Sequence, residues 1–136
     1  MESEKQRVIP FLTFHGNAEE AMNYYAANLP GAKIETLMRY QKDSPGDEGK
    51  VLVGILSVFG YCIQFMDMNA EYDCPNFTWA ASLLVNCNDE AEFDALFNAL
   101  AQDGFVMMKE DNFMHFSKVA WVTDKFGVTW QPVLEN

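Results

Sequence analysis

A six-residue string occurs twice in this chain of 136 residues, and no other feature limits its fold as strongly. Phe59-Gly60-Tyr61-Cys62-Ile63-Gln64 returns 67 positions later as Phe126-Gly127-Val128-Thr129-Trp130-Gln131. Phe, Gly and Gln keep their places, and strand formers lie between Gly and Gln in both copies. A glycine turn running into such residues predicts a hairpin that feeds a β-strand. Asn17 and Asn88, each placed to open a helix, recur at nearly the same spacing, 71 positions. Two landmarks thus point to a chain made of two copies of one module.

The first module, 7–68, begins with a strand from Val8 to Phe14, with Pro10 favouring an edge. His15-Gly16 breaks it. Asn17 and Glu20 have the form of a capping box, and Ala18, Ala21, Met22, Tyr25 and Leu29 share one helical face. Pro30-Gly31 stops the helix. Strands from Ala32 to Tyr40, Val51 to Val58 and Tyr61 to Met68 complete the module, and a polar linker, 69–76, follows. The second module, 77–134, repeats the order. It has a strand from Phe77 to Val85, then a helix capped by Asn88 or Asp89 with Phe93, Leu96, Phe97 and Leu100 on its apolar stripe. Gly104 ends that helix. Phe105 to Lys109 is a weak strand, and Phe116 to Val122 and Val128 to Val133 are the last two. The expected architecture is α+β: a single domain of two βαβββ modules whose curved mixed sheets enclose a cavity. In strand five, Trp79, Ala81, Leu83 and Val85 are expected to face the helix, and Thr78, Ala80 and Ser82 the cavity. By the same alternation Cys62, Gln64 and Met66 share one face, as do Thr129 and Gln131.

Composition narrows the function classes. Hydrophobic residues make up 49% of the chain, enough for a real core, and no apolar run is long enough to span a membrane. The net charge of −11 repels phosphate backbones and anionic membranes, so neither nucleic acid nor membrane is an expected partner. Three cysteines without metal-type spacing, and a start lacking a basic-then-apolar leader, point to a reduced, cytoplasmic protein. The charged first six residues are the one stretch that reads as a tail.

Several motifs resemble a known family. Pro10-Phe11-Leu12-Thr13-Phe14 followed by Gly16-Asn17-Ala18-Glu19-Glu20-Ala21, Arg39-Tyr40, the Pro45-Gly46 to Glu48-Gly49-Lys50-Val51 loop, and Asp124-Lys125-Phe126-Gly127-Val128 with Trp130-Gln131 are similar to the PhnB-like branch of the vicinal oxygen chelate superfamily. That superfamily holds glyoxalases, bleomycin-resistance proteins and dioxygenases, and the branch is often labelled 3-demethylubiquinone-9 3-methyltransferase-like. Methyl transfer itself is disfavoured, because the chain has no Gly-rich turn after a parallel strand and its glycines are scattered.

The resemblance implies a metal site of one His on each module's first strand and one Glu on each module's last. Those positions map to Pro10, Gln64, about Ala80, and Gln131. Proline and alanine have no ligating group, and a neutral amide is a poor substitute for a carboxylate. No cofactor is therefore expected. The candidate ligand-binding residues are Gln64, Gln131, Cys62, Met66, Ser82, Thr129, Arg39 and His15. The glutamines suit orientation of a small polar group by hydrogen bonds, or satisfaction of each other. Arg39 suits an anion clamp or a surface ion pair. The histidines His15 and His115 read as a turn residue and a half-buried strand residue, and Cys62 as a small core residue.

The expected function is binding of a small molecule without the superfamily metal. The alternative is a divergent lyase, dioxygenase or transferase with an unusual site that draws on His15, His115, Glu71 or Asp67. A third reading is a structural module with a collapsed cavity. The resemblance also implies a homodimer, in which Trp79, Phe11 and Phe14 are candidate contacts.

Overall fold

The computed structural model describes residues 6–136. The charged N-terminal stretch falls outside the described residues through position 5. The chain divides into two compact units, one through Pro75 and one from Asn76 to Asn136.

The first unit runs β1 (Phe11–Phe14), α1 (Ala18–Asn28), β2 (Ala32–Arg39), β3 (Val51–Val58) and β4 (Tyr61–Asp67). Its four strands form one mixed sheet in the order β1-β4-β3-β2, with β1 and β4 parallel. Ala18, Ala21, Met22 and Tyr25 form the buried face of α1. Tyr25 meets Phe65 of β4 with ring centroids 6.1 Å apart, and Phe65 stacks on Phe14 of β1 at 5.4 Å. Alternation then turns Phe11 and Thr13 of β1, and Cys62, Gln64 and Met66 of β4, to the other face.

The start of α1 differs from its sequence expectation. Asn17 makes no side-chain cap. A carboxylate 50 residues downstream does the work instead: Asp67, at the end of β4, accepts from Ala18 N–H at 2.9 Å and Gly16 N–H at 3.0 Å on Oδ1, and from Val51 N–H at 2.9 Å on Oδ2. It is only 1% exposed. A helix N-terminus leaves unpaired N–H groups and positive potential, and a carboxylate satisfies both.

The second unit runs β5 (Ser82–Asn86), α2 (Glu90–Ala101), β6 (Phe105–Phe113), β7 (Phe116–Thr123) and β8 (Thr129–Glu135). Its sheet order, β5-β8-β7-β6, repeats that of the first unit, and β5 pairs parallel with β8. Asp89 caps α2 locally, accepting from Glu92 N–H at 2.9 Å, while Glu92 accepts from Asn88 N–H. Phe93, Leu96 and Leu100 are buried, and Phe97 stacks on Phe93. After Asp103 (φ 57°), Gly104 sits where an added Cβ would lie 2.5 Å from the Thr123 carbonyl oxygen, so only glycine fits.

Three strand limits shift by three residues or more. β1 begins at Phe11 and not at Val8. β5 begins at Ser82, because residues before it form a turn in which Thr78 Oγ1 accepts from Ala80 N–H at 3.2 Å and Thr78 O accepts from Ala81 N–H. Trp79 and Ala80 are thus not strand residues. β6 continues past Lys109 to Phe113, where weak strand formers are held by partners across the ladder; Asp111 faces Lys118 and pairs with it at 3.3 Å.

The repeated hexapeptide builds two different turns. Phe59 (φ 52°) and Gly60 (φ 85°) form a two-residue hairpin of the type with both central φ positive. In the second copy Asp124 is buried, and its Oδ1 accepts from Phe126 N–H at 2.9 Å and Val128 N–H at 3.1 Å while Oδ2 accepts from the Trp130 indole at 2.9 Å.

Replacing Asp67 by Ala is expected to cost about 2–4 kcal/mol, since three backbone donors lose a charged acceptor. Denaturant unfolding of the variant checks this, and a loss under about 1 kcal/mol would contradict the capping role.

Candidate functional site

In the first unit the parallel register pairs Phe11 with Gln64 and Thr13 with Met66. The antiparallel register on the other side pairs Gln64 with Ile55 and Cys62 with Ser57. Gln64 is therefore the half-buried centre of a cross-strand row of Phe11, Gln64 and Ile55. Its backbone N–H donates to Pro10 O at 2.9 Å, and its side-chain amide has no hydrogen-bond partner among the described residues. Cys62, Gln64 and Met66 are thus brought together on one face, as expected. The backbone of Cys62, beyond the end of β1, is held by the side chain of Gln6, which accepts from Cys62 N–H at 2.7 Å and donates to Cys62 O at 3.1 Å.

The ladder continues past β1, where Met68 N–H donates to Phe14 O at 2.9 Å. Alternation carries the Gln64 face on to His15 and Met68, and there a cavity of about 300 Å³ opens, lined by His15, Met68, Asn69, Ala70, Tyr72, Asp73 and Cys74. Its far wall is the linker, anchored by Asn69 Nδ2 donating to Pro45 O at 2.9 Å and Ala70 N–H donating to Asp47 Oδ2 at 3.0 Å. The sequence reading missed this wall; the parallel pairing of β1 with β4 is what brings the linker back beside His15.

Arg39 lies elsewhere. On edge strand β2 its guanidinium makes two hydrogen bonds to Glu19 of α1, one of 3.2 Å, so its charge is matched within the surface. Among the alternative catalytic groups, Asp67 is occupied by three backbone donors. Glu71 is exposed in the linker. His115 is an exposed residue of the β6–β7 turn, correcting its expected strand position, and lies against the Phe116 ring. Of these residues, His15 lines the cavity.

In the second unit Gln131 is paired with Leu84 on β5, and its Nε2 donates to Ser82 Oγ at 2.7 Å. Thr129 is paired with Ser82 across β5, and its hydroxyl lies 2.7 Å from that of Thr123. Gln131, Ser82 and Thr129 therefore form one polar cluster. The β7–β8 register, unbroken from Val122–Trp130 to Val119–Val133, sets Trp121 across from Gln131. Trp79, expected on the helix side, instead rests on Trp121 with centroids 5.8 Å apart and planes at 87°. Trp121 was invisible to the sequence reading, because only the pairing register of two strands identifies it as a neighbour of Gln131.

The same registers show what stands beside each glutamine. The first-strand residues directly beside Gln64 and Gln131 are Phe11 and Leu84, whereas Pro10 precedes β1 and Ala80 lies in the turn before β5. Phenyl, isobutyl and two neutral amides do not fit a divalent metal. No group of three His, Cys, Asp or Glu side chains suited to a metal occurs among the described residues.

The model of the 3-demethylubiquinone-9 3-methyltransferase family matches residues 6–133. The chain belongs to that family. A Bacillus cereus PhnB protein bearing the same methyltransferase description is 37% identical, with 95% of this chain and 99% of that one covered and a TM-score of 0.83. Protein PA1353 of Pseudomonas aeruginosa is 28% identical over 96% and 98% of the two chains, with a TM-score of 0.85. A glyoxylase/bleomycin resistance protein/dioxygenase domain of Frankia shares 14% identity over 98% and 100%, with a TM-score of 0.66, and so shares the fold. No curated protein sequence matches significantly. These findings show a member of the family to which the PhnB protein is similar, with a fold shared with glyoxalase/bleomycin-resistance proteins. The methyltransferase label is the name of the family model, and no activity follows from it.

The three thiols differ in environment. Cys87 is buried, and burial, reinforced by the Glu92 carboxylate, pushes its pKa up to about 11. At pH 8 about one molecule in a thousand carries that thiolate. Cys62 and Cys74 are partly exposed. Iodoacetamide at pH 8 is expected to label Cys62 and Cys74 and to spare Cys87 until the protein is unfolded, as peptide mass mapping will show. Equal labelling of all three in the native protein would contradict the buried placement of Cys87.

Proposed function

We propose that this family member binds a small, largely apolar organic molecule without a metal ion. The observation that carries the reading is Gln64: a half-buried amide with no partner among the described residues, set between Phe11 and Ile55 on a face that leads into the His15 cavity. A mainly apolar wall with a few fixed polar groups is the usual composition of a small-molecule site. An amide offers both donor and acceptor but no acid–base chemistry near neutral pH, which suits orientation more than catalysis. The negative charge of the chain favours a neutral or cationic ligand. The same reading takes the protein as cytoplasmic, supported by three free cysteines, and as a homodimer that binds neither nucleic acid nor membrane. No helix among the described residues is long and apolar enough to cross a membrane.

One observation favours a second reading, an enzyme with an unusual site: His15, Asp73 and Cys74 line a single cavity. Thermal melting of chelator-treated protein separates the two. Under the binding reading, no divalent metal gives a saturable rise in Tm, while a neutral aromatic or aliphatic compound at a hundredfold excess over its Kd adds about 2.7 kcal/mol of stability. The Gln64→Ala variant is expected to weaken that compound roughly three- to tenfold, the value of one or two hydrogen bonds. A saturable shift with one metal, or a set of stabilising compounds none of whose binding Gln64→Ala weakens, would contradict the reading.

A further inference from the structure

The indole N–H of Trp121 is screened from solvent and has no hydrogen-bond partner among the described residues. An unmade bond of this kind costs about 1–3 kcal/mol and is rare in a folded chain. The perpendicular Trp79 ring offers at most a weak N–H···π contact in its place. The third tryptophan shows the contrast: the Trp130 indole donates to Asp124 at 2.9 Å.

Trp79 is itself unusual. It is 63% exposed, and it stands on the turn before β5 and not within a strand. Beside it on the Gln131 face are Leu84, which is 54% exposed, and Gln131, whose Nε2 is engaged by Ser82 while its carbonyl oxygen accepts no hydrogen bond from a described residue. One exposed indole, one unsatisfied indole donor and one available amide acceptor therefore share one face of the second sheet.

We infer that Trp79, Trp121 and Gln131 form a subsite for a flat, neutral aromatic group bearing a hydrogen-bond acceptor. The group stacks on the Trp79 ring, which shifts on its turn, and its acceptor takes the Trp121 N–H. Gln131 Oε1 takes a donor on the ring edge where there is one. A carboxylate or phosphate on the group is disfavoured by the net charge of −11. This subsite extends the small-molecule reading to the second unit and does not use Gln64, so the two succeed or fail separately.

Acridone is a suitable probe: it is flat and neutral, has one carbonyl acceptor and one N–H, and carries its own fluorescence. Its anisotropy is followed as the full-length protein is added. Saturable binding is expected, weakened at least about fivefold by Trp79→Ala, through lost stacking, and roughly three- to tenfold by Trp121→Phe, which keeps a ring and removes only the donor. Gln64→Ala is expected to leave acridone binding unchanged. Absence of saturable binding to the wild type overturns the inference, as does affinity unchanged in Trp79→Ala and Trp121→Phe. Sedimentation of the same proteins provides the other arm: if Trp79→Ala converts a dimer to monomers and acridone does not bind the wild type, the face is a subunit contact and the subsite is rejected.

Discussion

The first unit depends on one carboxylate. Asp67 ends β4, closes the N-terminus of α1 and receives the N–H that begins β3, so a single side chain ties helix and sheet together. Its own carbonyl oxygen accepts from the Tyr40 hydroxyl at 3.1 Å, and burial together with the nearby Asp67 and Asp47 carboxylates raises the pKa of that hydroxyl. Because Asp67 already fills the positive end of α1, that helix has no anion site to offer a ligand. Gln64 lies on the opposite face of the sheet.

The second unit reaches the same topology by other bonds. Asp89 caps its helix from within the local sequence, and Asp124 holds the turn before β8 and the Trp130 indole. Duplication thus preserved strand order and the placement of one glutamine per sheet, while the stabilising carboxylates moved. The two glutamine faces diverged as well. Gln64 has apolar neighbours and an unengaged amide; Gln131 is tied to Ser82 and has a tryptophan across the ladder. The first-strand neighbours of the two glutamines are Phe11 and Leu84, whose side chains have no ligating group.

Much of this architecture was legible in the sequence. The repeated hexapeptide and the helical spacing of Tyr25 and Leu96 with their neighbours are local patterns, and local patterns are what a sequence displays. The misreadings share a cause in contacts made far along the chain. Asn17 and Glu20 have the form of a capping box, but Asp67 occupies the position that box would fill. Phe77 to Ala81 has strand-forming residues, but Thr78 closes a turn on its own backbone. The neighbours of the glutamines depend on the register of a parallel pair, and a one-residue slip in register exchanges one face for the other. For the same reason Trp121 was overlooked as a neighbour of Gln131.

The central claim is that the Gln64 face takes a neutral small molecule by hydrogen bonds from its amide. The most direct measurement is NMR of the glutamine side-chain amides while a compound that raises the melting temperature is titrated in. The account predicts saturable movement of the Gln64 NH₂ pair, together with the methyl signals of Ile55 and Met66, while the His115 turn stays still. Saturable binding of every stabilising compound with the Gln64 pair unmoved would contradict it.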